Sequence, residues 1–351
     1  MPRIPHATLR AFAETMLTRA GMEADKAAAT AEILVEGDMI GHDTHGVSLI
    51  SWYLDALADG SMNGVGGYEV VADRGATFVW DGRFLPGAWL FTEALDQAMD
   101  RVATHGVVTA AIRNCHHTCA LSAYLRRVTE RGLIAQISCS NPGASRVAPF
   151  GGRKPVLTPN PLAVGLPTRS DPMLIDVSTS IATTTMTQQL AKKGERFPEA
   201  WALTAEGRPT DDPSEVTERG GSLMPLGGAL KGHKGFGLAL MVDVLGQGLS
   251  GRGRANTENG TFAQSAFLQV MDPEAFSGLD VFTEQAEWTA EACRTNPPAA
   301  GNDGPVRVPG DSAARKRREA LDKGVDISAE LAAKLARAAE RVNVALPSEL
   351  A

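Results

Sequence analysis

The spacing of apolar positions makes the first sixty residues helical. Leu9, Phe12, Met16 and Leu17 recur at the three- and four-residue intervals of one helix face, and Gly21 ends that segment. A second stripe runs through Ala28, Ile33, Leu34 and Val35, and a third helix is expected over residues 47–57, stopping at Gly60. From about residue 68 the period shortens. Runs at 68–71 and 76–80 read as strands, 89–104 as a helix, and 107–112 as an apolar strand leading into a helix from about Ala120. A further strand at 133–139 breaks at Ser140-Asn141-Pro142-Gly143, where a Pro- and Gly-rich section begins that runs on to Pro167.

After the apolar run 174–177 and Ser178-Thr179-Ser180, a helix is expected, then a polar loop through Asp211-Asp212-Pro213. A long apolar helix should start near Lys234 and pass through Leu238, Leu240, Val242 and Leu245 to Gly251, which would put His233-Lys234-Gly235 at its N-terminus. Residues 296–305, with three prolines and two glycines, read as a linker. The amphipathic stretch 328–342 is expected to pack against the N-terminal helices. The centre of the chain is therefore α/β, flanked by helical ends.

At 351 residues the chain is long enough for two or three domains with a large core. A net charge of −7 argues against a nucleic-acid surface, and no 18-residue apolar run is available to cross a bilayer. The start, Met1-Pro-Arg-Ile-Pro-His, lacks the apolar core of a signal peptide, and the four cysteines fit thiols and not a disulfide framework, so a cytoplasmic protein is expected. Gly-x-Gly-x-x-Gly, the P-loop, Gly-x-Ser-x-Gly and His-Glu-x-x-His are all missing. Any nucleotide site must be built without a Rossmann fingerprint.

Four of the seven histidines fall in two clusters, His42-Asp43-Thr44-His45-Gly46 and Cys115-His116-His117-Thr118-Cys119. Imidazoles exchange a proton near neutral pH, so such clusters suit acid–base chemistry. His45 would open the third helix, with Thr44 or Asp43 as its cap. Asp176, closing an apolar strand, is placed to accept an imidazole N–H, or else to cap Ser178–Ser180. His233 and Lys234 at a helix start would attract phosphate or carboxylate. Two other readings stand beside catalysis by the imidazoles alone: metal ligation by the His and Cys of both clusters, which would make a metal-dependent hydrolase, and simple structural hydrogen bonding. The run Arg315-Lys316-Arg317-Arg318 reads as a solvated helix face.

In this order, Gly41-His42-Asp43-Thr44-His45-Gly46-Val47, Asn114-Cys115-His116-His117, Val147-Ala148-Pro149-Phe150-Gly151-Gly152, Asn160-Pro161, Asp176-Val177-Ser178-Thr179-Ser180, His233-Lys234-Gly235 and Val308-Pro309-Gly310-Asp311 resemble the type-2 malate/lactate dehydrogenase family over residues 6–345. That family includes sulfolactate, ureidoglycolate and hydroxycarboxylate dehydrogenases and cyclic-imine (ketimine) reductases. The resemblance implies an α/β, mixed-sheet, non-Rossmann NAD(P)-binding fold with a helical domain built from both termini. It divides the chain into a helical domain of residues 1–65 and 305–351, a substrate and dimerisation region of 66–120 and 226–304, and an NAD(P)-binding domain of 121–225.

The resemblance also implies a homodimer, NAD or NADP as cofactor and a small 2-oxo or 2-hydroxy acid as substrate. His45 matches the family's proton-donating histidine, supported by Thr44 and Asp176, whereas some members assign that role to the position of His117. We favour His45, with His117 binding the substrate oxygen or carboxylate. The cofactor should run along Cys119, Ala120 and Leu121, over Leu174, Ile175, Asp176, Val177 and Ser178, against His233 and Lys234, and near Gly310 and Asp311.

Two departures stand out. Many relatives carry Arg where this chain has Leu49, which points to a bulkier or less acidic substrate or to another Arg for the carboxylate. Cys119 and Ser122 replace glycines usual after the second histidine, and their side chains are expected to crowd the cofactor. These departures keep alive a third reading, a catalytically dead dinucleotide-binding or scaffolding protein.

Overall fold

The computed structural model describes residues 2–350. β1 (Arg3–Ile4) precedes α1 (His6–Arg19), α2 (Ala24–Ile40), a 3-10 turn at Val47–Leu49 and α3 (Ile50–Asp59). Then come β2 (Glu69–Asp73), β3 (Thr77–Asp81), α4 (Gly87–His105), β4 (Val107–Cys115), α5 (Ser122–Thr129), β5 (Ile134–Ser140), β6 (Leu162–Leu166) and β7 (Met173–Val177). A set of short elements follows: α6 (Thr184–Lys193), β8 (Ala202–Leu203), β9 (Pro209–Thr210), α7 (Ser214–Thr217) and β10 (Ser222–Leu223). The chain continues through α8 (Gly228–Ser250), β11 (Gln264–Met271), α9 (Leu279–Arg294), α10 (Asp311–Lys323), β12 (Val325–Asp326) and α11 (Ala329–Arg341).

Seven strands form one mixed sheet in the order β2-β3-β4-β11-β5-β6-β7. The β3–β4 pair is parallel, because α4 carries the chain back across the sheet between them, and the other pairs are antiparallel. β11, late in sequence, inserts between β4 and β5, so no repeated βαβ unit of the Rossmann kind arises. β4 and β5 are the near-continuous apolar runs seen in the sequence, and α4 and α8 pack on this sheet. β7 is one of the two edge strands, opposite β2, and no other strand among the described residues pairs with its outer side.

The two ends of the chain meet. β1 pairs with β12, α10 packs on α2 and α11 on α3. An Arg317–Glu36 ion pair at 2.8 Å joins α10 to α2, and Arg318 reaches Asp171 at 2.5 Å. Arg315, Lys316 and Arg318 of the basic run are exposed, as expected of a solvated face, while Arg317 and Arg318 also clamp α10 to its neighbours. One large apolar core unites these helices with the sheet, while a second, around Val147, Leu157, Phe197 and Leu223, supports the short elements.

α8 begins at Gly228, six residues ahead of the expected start at Lys234. Ala229, Leu230 and Lys231 are good helix formers, but Gly227, Gly228 and Gly232 around them hid the first turn. His233 and Lys234 consequently lie in the second turn and not at the helix N-terminus, and both are exposed. No helix among the described residues is long and apolar enough to cross a membrane.

Candidate active site

The first histidine cluster lies on a tight loop between α2 and α3. Gly41, with φ of 90°, turns the chain at the end of α2, and the His42 N–H closes back on the Gly37 carbonyl at 2.8 Å. Asp38, in the last turn of α2, accepts the Val47 N–H at 2.8 Å and so ties the far side of the loop to the same helix. A Cβ on Gly46 would stand 2.0 Å from Asp38 Oδ1, so the loop passes its anchor at the closest range a backbone allows. Burial raises the Asp38 carboxyl to about 8, against the lowering effect of the Val47 amide.

Within the loop, Thr44 Oγ1 lies 2.8 Å from His45 Nδ1. This replaces the expected helix cap: no side chain caps the 3-10 turn or α3, and Thr44 spends its hydroxyl on the imidazole. Burial lowers the pKa of His45 and His42 adds to the lowering, while the charge of Asp176 pulls the other way.

The second cluster follows β4, which runs on to Cys115, three residues past its expected end. His116 and His117 diverge beyond it. His116 is 1% exposed and desolvation lowers its pKa to about 4. His117 faces His45, the two rings stacked with centroids 5.7 Å apart and planes 21° from parallel. Tyr53 OH lies 2.9 Å from His117 Nδ1, and the Cys119 main-chain N–H donates to the same nitrogen at 3.2 Å. Burial holds the His117 pKa well below its ordinary value, and the neighbouring His45 and His116 act in the same direction.

Aromatic rings pack around His117 and His116. Trp52 meets His117 edge-on at 5.2 Å and Phe262 edge-on at 5.1 Å, and Phe262 packs on His116 at 4.9 Å. Phe262 also lines a cavity of about 450 Å³, whose wall includes Asn141, Ser145 and Thr261, with Arg146 its one charged residue. Leu49 ends the 3-10 turn, one helical step before Trp52 and Tyr53, and packs on the main core.

Asp176 departs from its expected partner. Its Oδ2 accepts the Ser122 N–H at the start of α5 at 2.9 Å, neither an imidazole N–H nor the amides of Ser178–Ser180. Ser122 Oγ in turn lies 3.1 Å from His42 Nε2, so the carboxylate is joined to the first cluster through Ser122 and acts on His45 through its charge. Cys119 and Ser122, the two departures from glycine, are both buried, and Cys119 Sγ lies 3.2 Å from Tyr53 OH.

The residues singled out for a cofactor gather around β7 in part. Leu174 N–H bonds the Pro309 carbonyl at 3.1 Å, and Gly310 approaches so closely that a Cβ there would meet the Pro172 carbonyl at 2.7 Å. Asp311 is already engaged, paired with Arg294 at 2.8 Å. His233 and Lys234 stand on α8, and the segment leading into that helix is tied to the Ser178 region by the Leu226 N–H bond to the Thr179 carbonyl at 2.9 Å and the Ile181 N–H bond to the Met224 carbonyl at 3.0 Å. Between His117 and α5, the main-chain N–H groups of buried Ala120 and Leu121 meet no acceptor among the described residues. Buried, unpaired amides at a helix start fit the phosphates of a dinucleotide. Among the described residues no group of three or more His, Cys, Asp or Glu is arranged to hold a metal ion.

Asp38, Trp52, Tyr53 and Phe262 escaped the sequence reading. An acidic side chain in the last turn of a helix opposes the helix dipole, and that signal was present for Asp38. Nothing local marked the aromatic residues.

The family described as malate/L-lactate dehydrogenase matches residues 4–336. The chain belongs to this family. The L-lactate dehydrogenase of Cupriavidus necator is 33% identical to this family member over 354 residues, 99% of each chain. The crystal structure of malate dehydrogenase from Entamoeba histolytica shares its fold, with a TM-score of 0.91 over 98% of this chain and 99% of that one at 24% identity. The Δ1-piperideine-2-carboxylate reductase of Pseudomonas syringae matches with a TM-score of 0.85 and 26% identity over 96% of this chain and all of that one. Membership of this oxidoreductase family agrees with the α/β mixed-sheet fold and with the resemblance carried by the histidine motifs.

Proposed function

We propose that the protein is an NAD(P)-dependent oxidoreductase that interconverts a small 2-hydroxy acid and its 2-oxo acid. The observation that carries this reading is the facing pair His45 and His117, drawn from distant segments to within 5.7 Å of each other beside the unpaired Ala120 and Leu121 amides. The nicotinamide supplies or accepts the hydride at C2 of the acid. Ala120 and Leu121 amides and the outer edge of β7, from Leu174 to Ser178, would hold the dinucleotide, with Cys119, His233, Lys234, Gly310 and Asp311 around it.

As negative charge grows on the carbonyl oxygen, an imidazole that delivers a proton there lowers the barrier. His45 takes this role: Thr44 fixes its Nδ1, and the Asp176 charge favours the protonated ring that must form. His117 holds the substrate oxygen. Arg146, lining the cavity behind Phe262, is the cation offered to the carboxylate in place of an Arg at Leu49. The apolar faces of Trp52 and Phe262 favour an acid with a bulky apolar side chain.

A cyclic-imine reductase is the second reading, supported by the likeness to the piperideine carboxylate reductase and by the same aromatic surround. It uses the same residues, with nitrogen in place of oxygen. Supplying 4-deuterated NADH or NADPH with pyruvate, phenylpyruvate, 2-oxoglutarate or a cyclic imine separates the two, since the label appears at C2 of the hydroxy acid or of the ring. Cofactor binding without label transfer to any of these would leave a dinucleotide-binding protein without turnover.

The assembly we propose is a homodimer in the cytoplasm. Its support is the exposed apolar stripe of α8, where Leu230 is 86%, Val244 64% and Leu249 52% exposed, and the absence of disulfides from the four cysteines. Sedimentation at micromolar concentration should give twice the chain mass, and Val244→Arg should give the monomer. The threefold division of the chain drawn from the family resemblance is part of the same proposal.

A further inference from the structure

Two donors converge on one ring nitrogen. A main-chain N–H can only donate, so the 3.2 Å contact from Cys119 requires a lone pair on His117 Nδ1. Tyr53 OH, 2.9 Å from the same nitrogen and 3.2 Å from Cys119 Sγ, completes this side of the ring. An Nδ1–H would point at the Cys119 amide proton, so neutral His117 carries its single proton on Nε2.

The local backbone is held for this arrangement. Cys119 sits at φ of 58°, a left-handed conformation that costs a side-chain-bearing residue about 1–2 kcal/mol. Its thiol against the buried Tyr53 hydroxyl offsets that strain and keeps both donors on the imidazole. Tyr53 comes from α3, whose buried face fixes it: Tyr53 is 0% and Ile50 0% exposed. The phenol cannot swing away without leaving the core.

We propose that Tyr53, with the Cys119 amide, is the positioning pair that fixes His117 as its neutral Nε2–H tautomer, a hydrogen-bond donor to the substrate oxygen and not a proton reservoir. This rests on the oxidoreductase reading for its purpose but not for its test. The division of labour follows from it. In the reductive direction the proton that ends on the substrate oxygen leaves His45, and in the oxidative direction the hydroxyl proton goes to His45, while His117 keeps its Nε2 proton throughout. Adding a second proton to His117 would turn Nδ1 from acceptor into donor against the Cys119 amide. Burial, which lowers the His117 pKa, works to the same end.

Protein labelled with 15N-histidine, with His117 assigned by its loss in His117→Gln, reads the tautomer directly and needs no turnover. The expected two-bond correlation pattern has the proton on Nε2 at pH 7 and stays unchanged down to pH 5. In Tyr53→Phe the Nδ1 resonance should move toward that of a free nitrogen, and kcat should fall about tenfold, the worth of one buried hydrogen bond, with cofactor affinity unchanged. Should that variant not fold, replacing all three tyrosines by 3-fluorotyrosine keeps their shape and makes the phenols stronger donors, shifting Nδ1 in the opposite sense. A wild-type proton on Nδ1, an imidazolium at pH 7, or an Nδ1 resonance indifferent to the phenol overturns the assignment. A dead enzyme with the expected spectrum overturns only the oxidoreductase reading.

Discussion

Asp38 Oδ2 accepts the Val47 N–H at 2.8 Å, and this bond closes the loop that carries Thr44 and His45 onto the end of α2. The loop has no room for adjustment at Gly46, where a Cβ would lie 2.0 Å from Asp38 Oδ1. Gly46→Ala should therefore lower kcat by about 10²-fold, as expected of a misplacement near 1 Å, while the melting temperature shows the rest of the fold intact. Turnover at the wild-type rate in that variant would show that the loop does not set the position of His45.

Stability should depend on pH through two buried groups that act with opposite signs over overlapping ranges. His116 is held at about 4 in the folded state against an ordinary 6.5, so the unfolded chain binds the extra proton between these values. Its contribution is complete above pH 6.5 and is lost as the pH falls toward 4, to the extent of about 3 kcal/mol. His45 and His117, both lowered, add to the loss on the same side.

Asp38 acts in reverse. Its carboxyl, raised to about 8 from 3.8, is protonated in the folded state, so its own contribution to stability declines as the pH rises from 3.8 through 8. Asp38→Asn copies the neutral acid and should flatten this decline in urea titrations at pH 6, 7 and 8. An unchanged decline would assign it to other groups.

Substrate choice should answer to Leu49. It precedes Trp52 by one helical step on the segment that lines the histidine pair, and an Arg there would offer a carboxylate a bidentate partner. Leu49→Arg should raise kcat/KM for oxaloacetate relative to phenylpyruvate by about tenfold or more, and Arg146→Ala should raise KM for both acids. If the ratio stays fixed, the side chain at position 49 does not face the substrate.

Much of the fold was legible because its elements are locally consistent. The helices of residues 6–60, the apolar strands β4 and β5 and the amphipathic α11 were placed to within a few residues by periodicity alone. α8 was misjudged where glycines interrupt its first turn, and the insertion of β11 between β4 and β5 has no local signature, since pairing across a sheet is a long-range choice. At the site, His45, Thr44 and His117 declared themselves by residue type. Tyr53 and Phe262 did not, because their roles arise only from what the fold brings beside them. Asp176 stands out in the sequence as a carboxylate at a strand end, but its partner proved to be the Ser122 amide.

The most direct test is a single-turnover measurement of NADH or NADPH oxidation by wild type, His45→Ala and His117→Ala, each at saturating cofactor with the best acid from the panel. Wild type is expected to oxidise the cofactor, each single variant to lose about 10²–10⁴-fold with cofactor affinity retained, and the double variant to be little worse than either single one. A wild-type rate in either variant, or no oxidation by the wild-type protein with cofactor bound, contradicts this expectation.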